Sequence, residues 1–294
     1  MPAGGAAFTH RRGGRAVSAV PATDAGVTGG SARSYLLTLL GEFVYPSTEP
    51  VWTATLLRGF AAVGIAEKAA RQALARAAAA GWIEGGREGR EAWWRLTDTG
   101  VRLIAEGSQR VRSLRHAAQE WPGTWLVLHI TLPEARRAER LRLYRALQWL
   151  GFGSPTPGLW VSPHEQRAAA VQARVEQLGL RDVTLAFVVR SMPFGIDERD
   201  LVGRAWDLEA LAAHYRALEA RFGAMRPRSD DALFTAHVEL VNAIQRLPGV
   251  DAGLPVALLP RDWEGARATR RLDALRGRWR DAAHGYWRRI AQGG

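Results

Sequence analysis

Three side chains able to read a polyanion, Lys68, Gln72 and Arg76, recur four residues apart in the stretch IAEKAARQALARAAAAGWIEGGREGREAWWRLT, residues 65–97. That interval puts them on one side of a helix over residues 66–80, with Ala75 and Ala79 beside them. Ala70, Leu74, Ala77 and Ala78 form the apolar stripe opposite. Arg, Lys and Gln pair with base edges or phosphates, and small alanines between them let a helix sink into a major groove. Arg71 flanks this face within reach of a phosphate.

Such a face needs a frame. Gly81 stops the helix, and residues 82–84 and 93–96 read as two short strands joined by a Gly-Gly-Arg-Glu-Gly-Arg tip, which puts Arg87 and Arg90 at the end of a hairpin. Upstream, residues 31–44 align Leu36, Leu37, Leu40 and Phe43 on one side of a helix that Ser31 or Ser34 can cap. Pro46 and Pro50 break it. Thr53 stands at the N-cap position of the next helix, residues 54–63, where its hydroxyl can also offer a phosphate a contact. Taken singly, the pieces read first as an Ala-rich solvated helix and an ordinary turn. Three helices followed by a ribbon is the order of a winged helix-turn-helix, and that order favours DNA docking.

The rest of the chain changes character twice. Residues 98–120 continue as a linker helix with Arg102, Arg110 and Arg112, which either tracks phosphates or forms a solvated face. Residues 121–195 run strand, helix, Gly/Pro-rich turn, short strand, helix, strand, the pattern of a ferredoxin-like α+β domain. Residues 196–294 are mainly helical, with Leu208, Leu211, Tyr215, Leu218 and Phe222 on one face of the first helix. The expected chain is thus α+β and multidomain: a flexible tail (1–30), a winged helix-turn-helix (31–97), a linker helix, a central domain for dimerisation or regulation, and a helical C-terminal domain.

Composition removes several chemistries. The absence of cysteine excludes disulfides, Cys-ligated metals and thiol nucleophiles. The seven histidines are scattered, none paired at a metal-ligand spacing on one helix, so no metal site is expected. No apolar run is long enough to cross a bilayer, and the tail has no secretory core, which points to a cytoplasmic protein without a membrane partner. A net charge of +11 attracts polyanions. Lys68 is the sole lysine, however, and such an arginine bias also follows from a GC-rich coding sequence, so placement weighs more than total charge.

Three separated stretches carry a resemblance: SARSYLLTLLGEFVYP with VWTATLLRGFAAVGIAEKAARQALARAAAAGWIE, then LQWLGFGSPTPGLWVSP, then WDLEALAAHYRALEARF with LPVALLPRDWEG. In this order they resemble the PaaX family of bacterial transcriptional regulators, whose namesake represses phenylacetic acid catabolism. The resemblance implies a homodimeric, non-enzymatic repressor that binds a palindromic operator in double-stranded DNA and is released by an aryl-acyl-CoA, typically phenylacetyl-CoA, with no other cofactor. The middle domain is similar to that of CRISPR-associated spacer-acquisition nucleases, which place an Asp at the end of the first strand. Here that strand ends His129-Ile130-Thr131, without a carboxylate.

An acyl-CoA effector needs cations for its phosphates and an apolar slot for its aryl ring. Arg136, Arg137, Arg140 and Arg142 with Trp149, Phe152 and Trp160 can supply these, although the aromatics equally suit a core edge. Two alternatives compete with the repressor. A metal-dependent nuclease requires clustered carboxylates, for which only Glu134 and Asp182 lie nearby; a DNA-architectural or membrane-surface protein needs charge alone.

Overall fold

The computed structural model describes residues 30–115, 120–191 and 194–292. The expected tail lies outside the described residues except for Gly30, as does the side chain of Glu134. The chain is mixed helix and sheet, in three units.

The first unit opens with α1 (Ala32–Leu39), capped as expected by the Ser31 hydroxyl, which accepts from the Ser34 amide at 3.2 Å. A π-helical turn, Leu40–Val44, extends it and carries Glu42. β1 (Val51–Trp52), α2 (Thr53–Ala62), α3 (Glu67–Ala79), β2 (Ile83–Glu88) and β3 (Glu91–Leu96) follow. The strands pair antiparallel in the order β1-β3-β2. Ala70, Ala73, Leu74 and Ala77 are the buried face of α3; Ala78, expected in that stripe, is half-buried because the helix turns Ala73 inward instead.

The hairpin is longer than its glycines suggest. Gly85, Gly86 and Arg87 are strand residues facing Trp94, Trp93 and Ala92, and the turn shrinks to Gly89-Arg90, with Gly89 at φ 59°. A Cβ on Gly86 would lie 2.3 Å from the Trp93 ring, and one on Gly85 2.8 Å from that of Trp94. The glycines therefore make room for two indoles rather than a bend. Thr53 is likewise not a cap. It begins α2, and its hydroxyl donates to the Ala92 carbonyl at 2.8 Å while accepting from the Trp94 indole at 3.0 Å, which ties the helix to β3.

α4 (Asp98–Arg115) leads to the second unit: β4 (Thr124–Ile130), α5 (Arg137–Trp149), β5 (Gly153–Thr156), β6 (Leu159–Ser162), α6 (Ala168–Gln177) and β7 (Thr184–Arg190). The sheet is antiparallel in the order β5-β6-β4-β7. The sequence suggests one short strand between the helices where there are two, because Pro155 and Pro157 obscure the alternation. Alternate residues of β4 serve two cores. Leu126, Leu128 and Ile130 pack with Leu143 and Val171 of the helices, while Trp125 and Val127 pack with α7 (Glu198–Ala205) and with Leu254 and Leu258. β7 is an outer strand, with Leu185, Phe187, Val188 and Val189 exposed.

α8 (Leu208–Gly223), α9 (Asp230–Arg246) and α10 (Glu264–Gln292) make the third unit around Tyr215, Phe222, Leu240 and Trp279. Asp207 and Ser229 cap α8 and α9. α9 and α10 also extend into the first unit: Phe234, Val238, Ala283 and Trp287 share one core with Leu36, Leu39 and Phe60. Asn242 donates to Ser34 Oγ at 2.7 Å and Thr38 Oγ1 at 3.0 Å across the same boundary. Burying these large side chains makes the first and third units one packed body.

Candidate nucleic-acid interface and ligand cavity

The outer face of α3 presents Lys68, Arg71, Gln72 and Arg76 to solvent, with exposed Ala75 and Ala79 between them. Arg71 holds Glu67 at 2.7 Å one turn away, an exposed pair weak enough to exchange for a phosphate. Arg87 is exposed on β2 and Arg90 is exposed at the hairpin turn. Thr53 belongs to the frame, since its proton is committed to Ala92. Arg110 is a strut too: it donates to the Trp149 carbonyl and lies 4.2 Å over that indole ring.

A second concave feature, of about 1640 Å³, opens where the three units meet. Its apolar wall includes Leu37, Trp149, Phe152, Trp160, Trp206 and Leu211, and its arginines are Arg33, Arg145, Arg204 and Arg246, of which Arg33 lays its guanidinium over the Trp82 ring, 4.8 Å from its centroid. The buried indole N–H groups of Trp160 and Trp206 have no hydrogen-bond partner. Of the expected effector residues, Trp149, Phe152 and Trp160 line this cavity, but Arg136, Arg137, Arg140 and Arg142 do not. They lie in or just before the first half of α5, roughly 10 Å or more from Trp149 along its axis at a rise of about 1.5 Å per residue. Arg136 instead donates to the Gly179 carbonyl at 3.1 Å.

One cavity wall is held by a half-buried arginine. Arg167 donates to the Leu150 carbonyl at 2.5 Å and to the Ala252 carbonyl at 3.0 Å, joining the turn after α5 to the loop after α9. Burial, then the charge of Arg110, pushes its pKa down to about 10. Asp251 accepts from the Tyr215 hydroxyl at 2.6 Å, and burial raises its carboxyl above the ordinary range. His164 is pushed down to about 4 by burial and by Arg167.

Three profiles of known families match consecutive parts of the sequence: PaaX-like protein over residues 31–100, the PaaX protein central Cas2-like domain over 118–202, and the PaaX-like protein C-terminal domain over 206–289. The chain belongs to the PaaX family. It is 28% identical over 265 residues to the protein named transcriptional repressor PaaX of Escherichia coli (strain K12), covering 86% of this chain and 79% of that one. Among solved structures it is similar to an uncharacterized protein from Mycobacterium tuberculosis, with 25% identity and a TM-score of 0.54 over 86% of this chain and 98% of the other.

In this PaaX-family chain the α3 face is legible from a four-residue interval, whereas the cavity is not, because its cations come from α1, α5, α7 and α9. A third cluster was equally hidden. Glu42, His237 and His284, from three distant stretches, bring their donor atoms within 4.8 Å of one another. His237 Nε2 is 3.0 Å and His284 Nε2 3.3 Å from the same Glu42 oxygen. Arg276 reaches the other oxygen at 2.5 Å. Burial opposes ionisation of Glu42, but the two histidines and Arg276 outweigh it and hold the carboxyl well below the usual carboxylate range. Among the described residues, this is the one group of three or more such donors, and it lies outside the central unit, where a nuclease would need it.

Proposed function

We propose that this chain is a ligand-responsive transcriptional repressor rather than an enzyme, as the printed name of its Escherichia coli relative suggests. Residues 31–97 act as a winged helix-turn-helix, with α3 in the major groove and the β2–β3 hairpin as the wing on the backbone. The observation that carries this reading is the exposed row Lys68, Gln72 and Arg76 beside a hairpin bearing Arg87 and Arg90. Residues 98–120 link this domain to a ferredoxin-like one, residues 121–195, a reading supported by the strand order β5-β6-β4-β7 with two helices on one face. The apolar edge of β7 is the dimerisation surface. Antiparallel pairing about a two-fold through Phe187 would set Leu185 of each copy against Val189 of the other, as an isologous interface requires. Residues 196–294 complete the cavity.

The effector is an aryl-acyl-CoA such as phenylacetyl-CoA, and the operon controlled serves phenylacetate-type catabolism. The cavity has guanidinium groups for the diphosphate and the 3′-phosphate, and aromatic walls for the aryl ring. Gel-shift titration on the operator over a range of salt tests the DNA reading. Arg76→Ala is expected to weaken binding about tenfold or more with loss of sequence preference, and Arg90→Ala to lower the salt slope by about one. Unchanged affinity and salt slope in both variants would overturn it.

A further inference from the structure

We propose that Glu42, His237 and His284 form a site for a borderline divalent cation of the zinc class, which fastens the helix that opens the first unit to the two long C-terminal helices. The donors come from three elements: Glu42 from the π-helical turn after α1, His237 from α9 and His284 from α10. Both imidazoles aim Nε2 at one carboxylate oxygen, at 3.0 and 3.3 Å. Around a tetrahedral zinc ion with bonds of about 2.0–2.1 Å, neighbouring donor atoms stand about 3.3 Å apart. Two of the three donor separations already match this spacing, and the third, between the imidazole nitrogens, lies within 4.8 Å, so the rings close on a cation placed between them.

The surroundings favour a metal over a catalytic or purely hydrogen-bonded role. His237 is fully buried and Nε2 makes its one polar contact, to Glu42, while Nδ1 lacks the outer-sphere partner that usually orients a metal-bound imidazole, so the apolar packing around the ring must hold it instead. Phe43 packs 4.9 Å from the His284 ring and 6.2 Å from that of His237, which fixes both rings and keeps water from one side. Arg276, at 2.5 Å from the second oxygen of Glu42, orients the carboxylate as outer-sphere partners of metal ligands do, and leaves Oε1 to the cation. The positive charge of Arg276 lowers affinity below that of a closed cysteine site. His284, 31% exposed, marks the entry route and the side on which a water completes the coordination. Two imidazoles with one carboxylate select zinc, cobalt(II) or nickel(II) over magnesium or calcium.

The test uses the full chain, stripped with a chelator and titrated with zinc chloride by calorimetry, alongside thermal denaturation. One ion per chain with micromolar or tighter affinity is expected, together with a rise of several degrees in Tm. Cobalt(II) should give the visible d–d bands of a tetrahedral site. His284→Gln, at a partly exposed position where the amide can still donate to Glu42, should leave the metal-free protein folded and lose at least tenfold in zinc affinity. Absence of stoichiometric zinc binding by the unaltered chain, or the same affinity in His284→Gln, overturns the proposal. If the variant does not fold, the cobalt spectrum of the unaltered chain decides, and a six-coordinate spectrum like that of the free ion counts against the site.

Discussion

His164 and Arg167 show how single side chains maintain the cavity wall. In the unfolded chain His164 takes a proton near pH 6.5, whereas in the folded protein burial and Arg167 hold its pKa at about 4. Between these values the unfolded chain binds a proton that the native state refuses. The contribution to stability is therefore complete above about pH 6.5 and lost as pH falls toward 4. Urea denaturation at pH 7.5 and pH 5 should show a loss on the order of 1–2 kcal/mol in the wild type, reduced in His164→Gln. Arg167→Ala takes the donor from the Leu150 and Ala252 carbonyls and should cost about 3 kcal/mol, while weakening ligand binding at the cavity. Neither role is legible from sequence, where both residues read as members of a polar helix start; the burial that gives them their roles comes from a loop some 85 residues away.

Among the elements, the ribbon beside α3 depends on close approaches that only glycine permits. Gly100, in the first turn of α4, lies so near the Trp82 carbonyl that a Cβ would come within 2.0 Å of its oxygen. Gly100→Ala should therefore push α4 off the base of the hairpin and cost more than about 3 kcal/mol, readable as a fall in the denaturation midpoint. The helices of the first unit were legible because their apolar residues recur every three or four positions. The full length of the hairpin was not, since Gly85 and Gly86 signal a turn by type and become strand only through the indoles of Trp93 and Trp94. β7 poses the opposite case. Its apolar run reads as a strand at once, but sequence does not tell an inner strand from an outer one. Phe187→Arg, at an exposed site on that edge, should leave the monomer fold intact and shift light-scattering mass from dimer to monomer.

Across the whole molecule, the binding face and the cavity are joined by packing rather than by a linker. α1 contributes Arg33 and Leu37 to the cavity and, from the same helix, Leu36 and Leu39 to the core on which α3 rests. The opposite wall includes Gln245 and Arg246 of α9, whose Asn242 holds Ser34 and Thr38 of α1. A ligand filling the cavity thus touches both sides of the contact that sets α1 against α9. Coupling of this kind is reciprocal: under the proposed function, the factor by which the cavity ligand weakens operator binding must equal the factor by which operator weakens ligand binding. Asn242→Ala removes two of the hydrogen bonds that link the two helices and leaves Ser34 Oγ short of a donor, while Thr38 Oγ1 keeps its bond to Gln245 at 2.8 Å. The variant should bind both DNA and effector, yet the shift in operator Kd on adding phenylacetyl-CoA should fall from the roughly 5–150-fold range typical of allosteric proteins to a few-fold at most. The converse titration, effector binding with and without operator, should shrink by the same factor. An unchanged shift in both directions would mean that the signal passes through the dimer edge and not through α1.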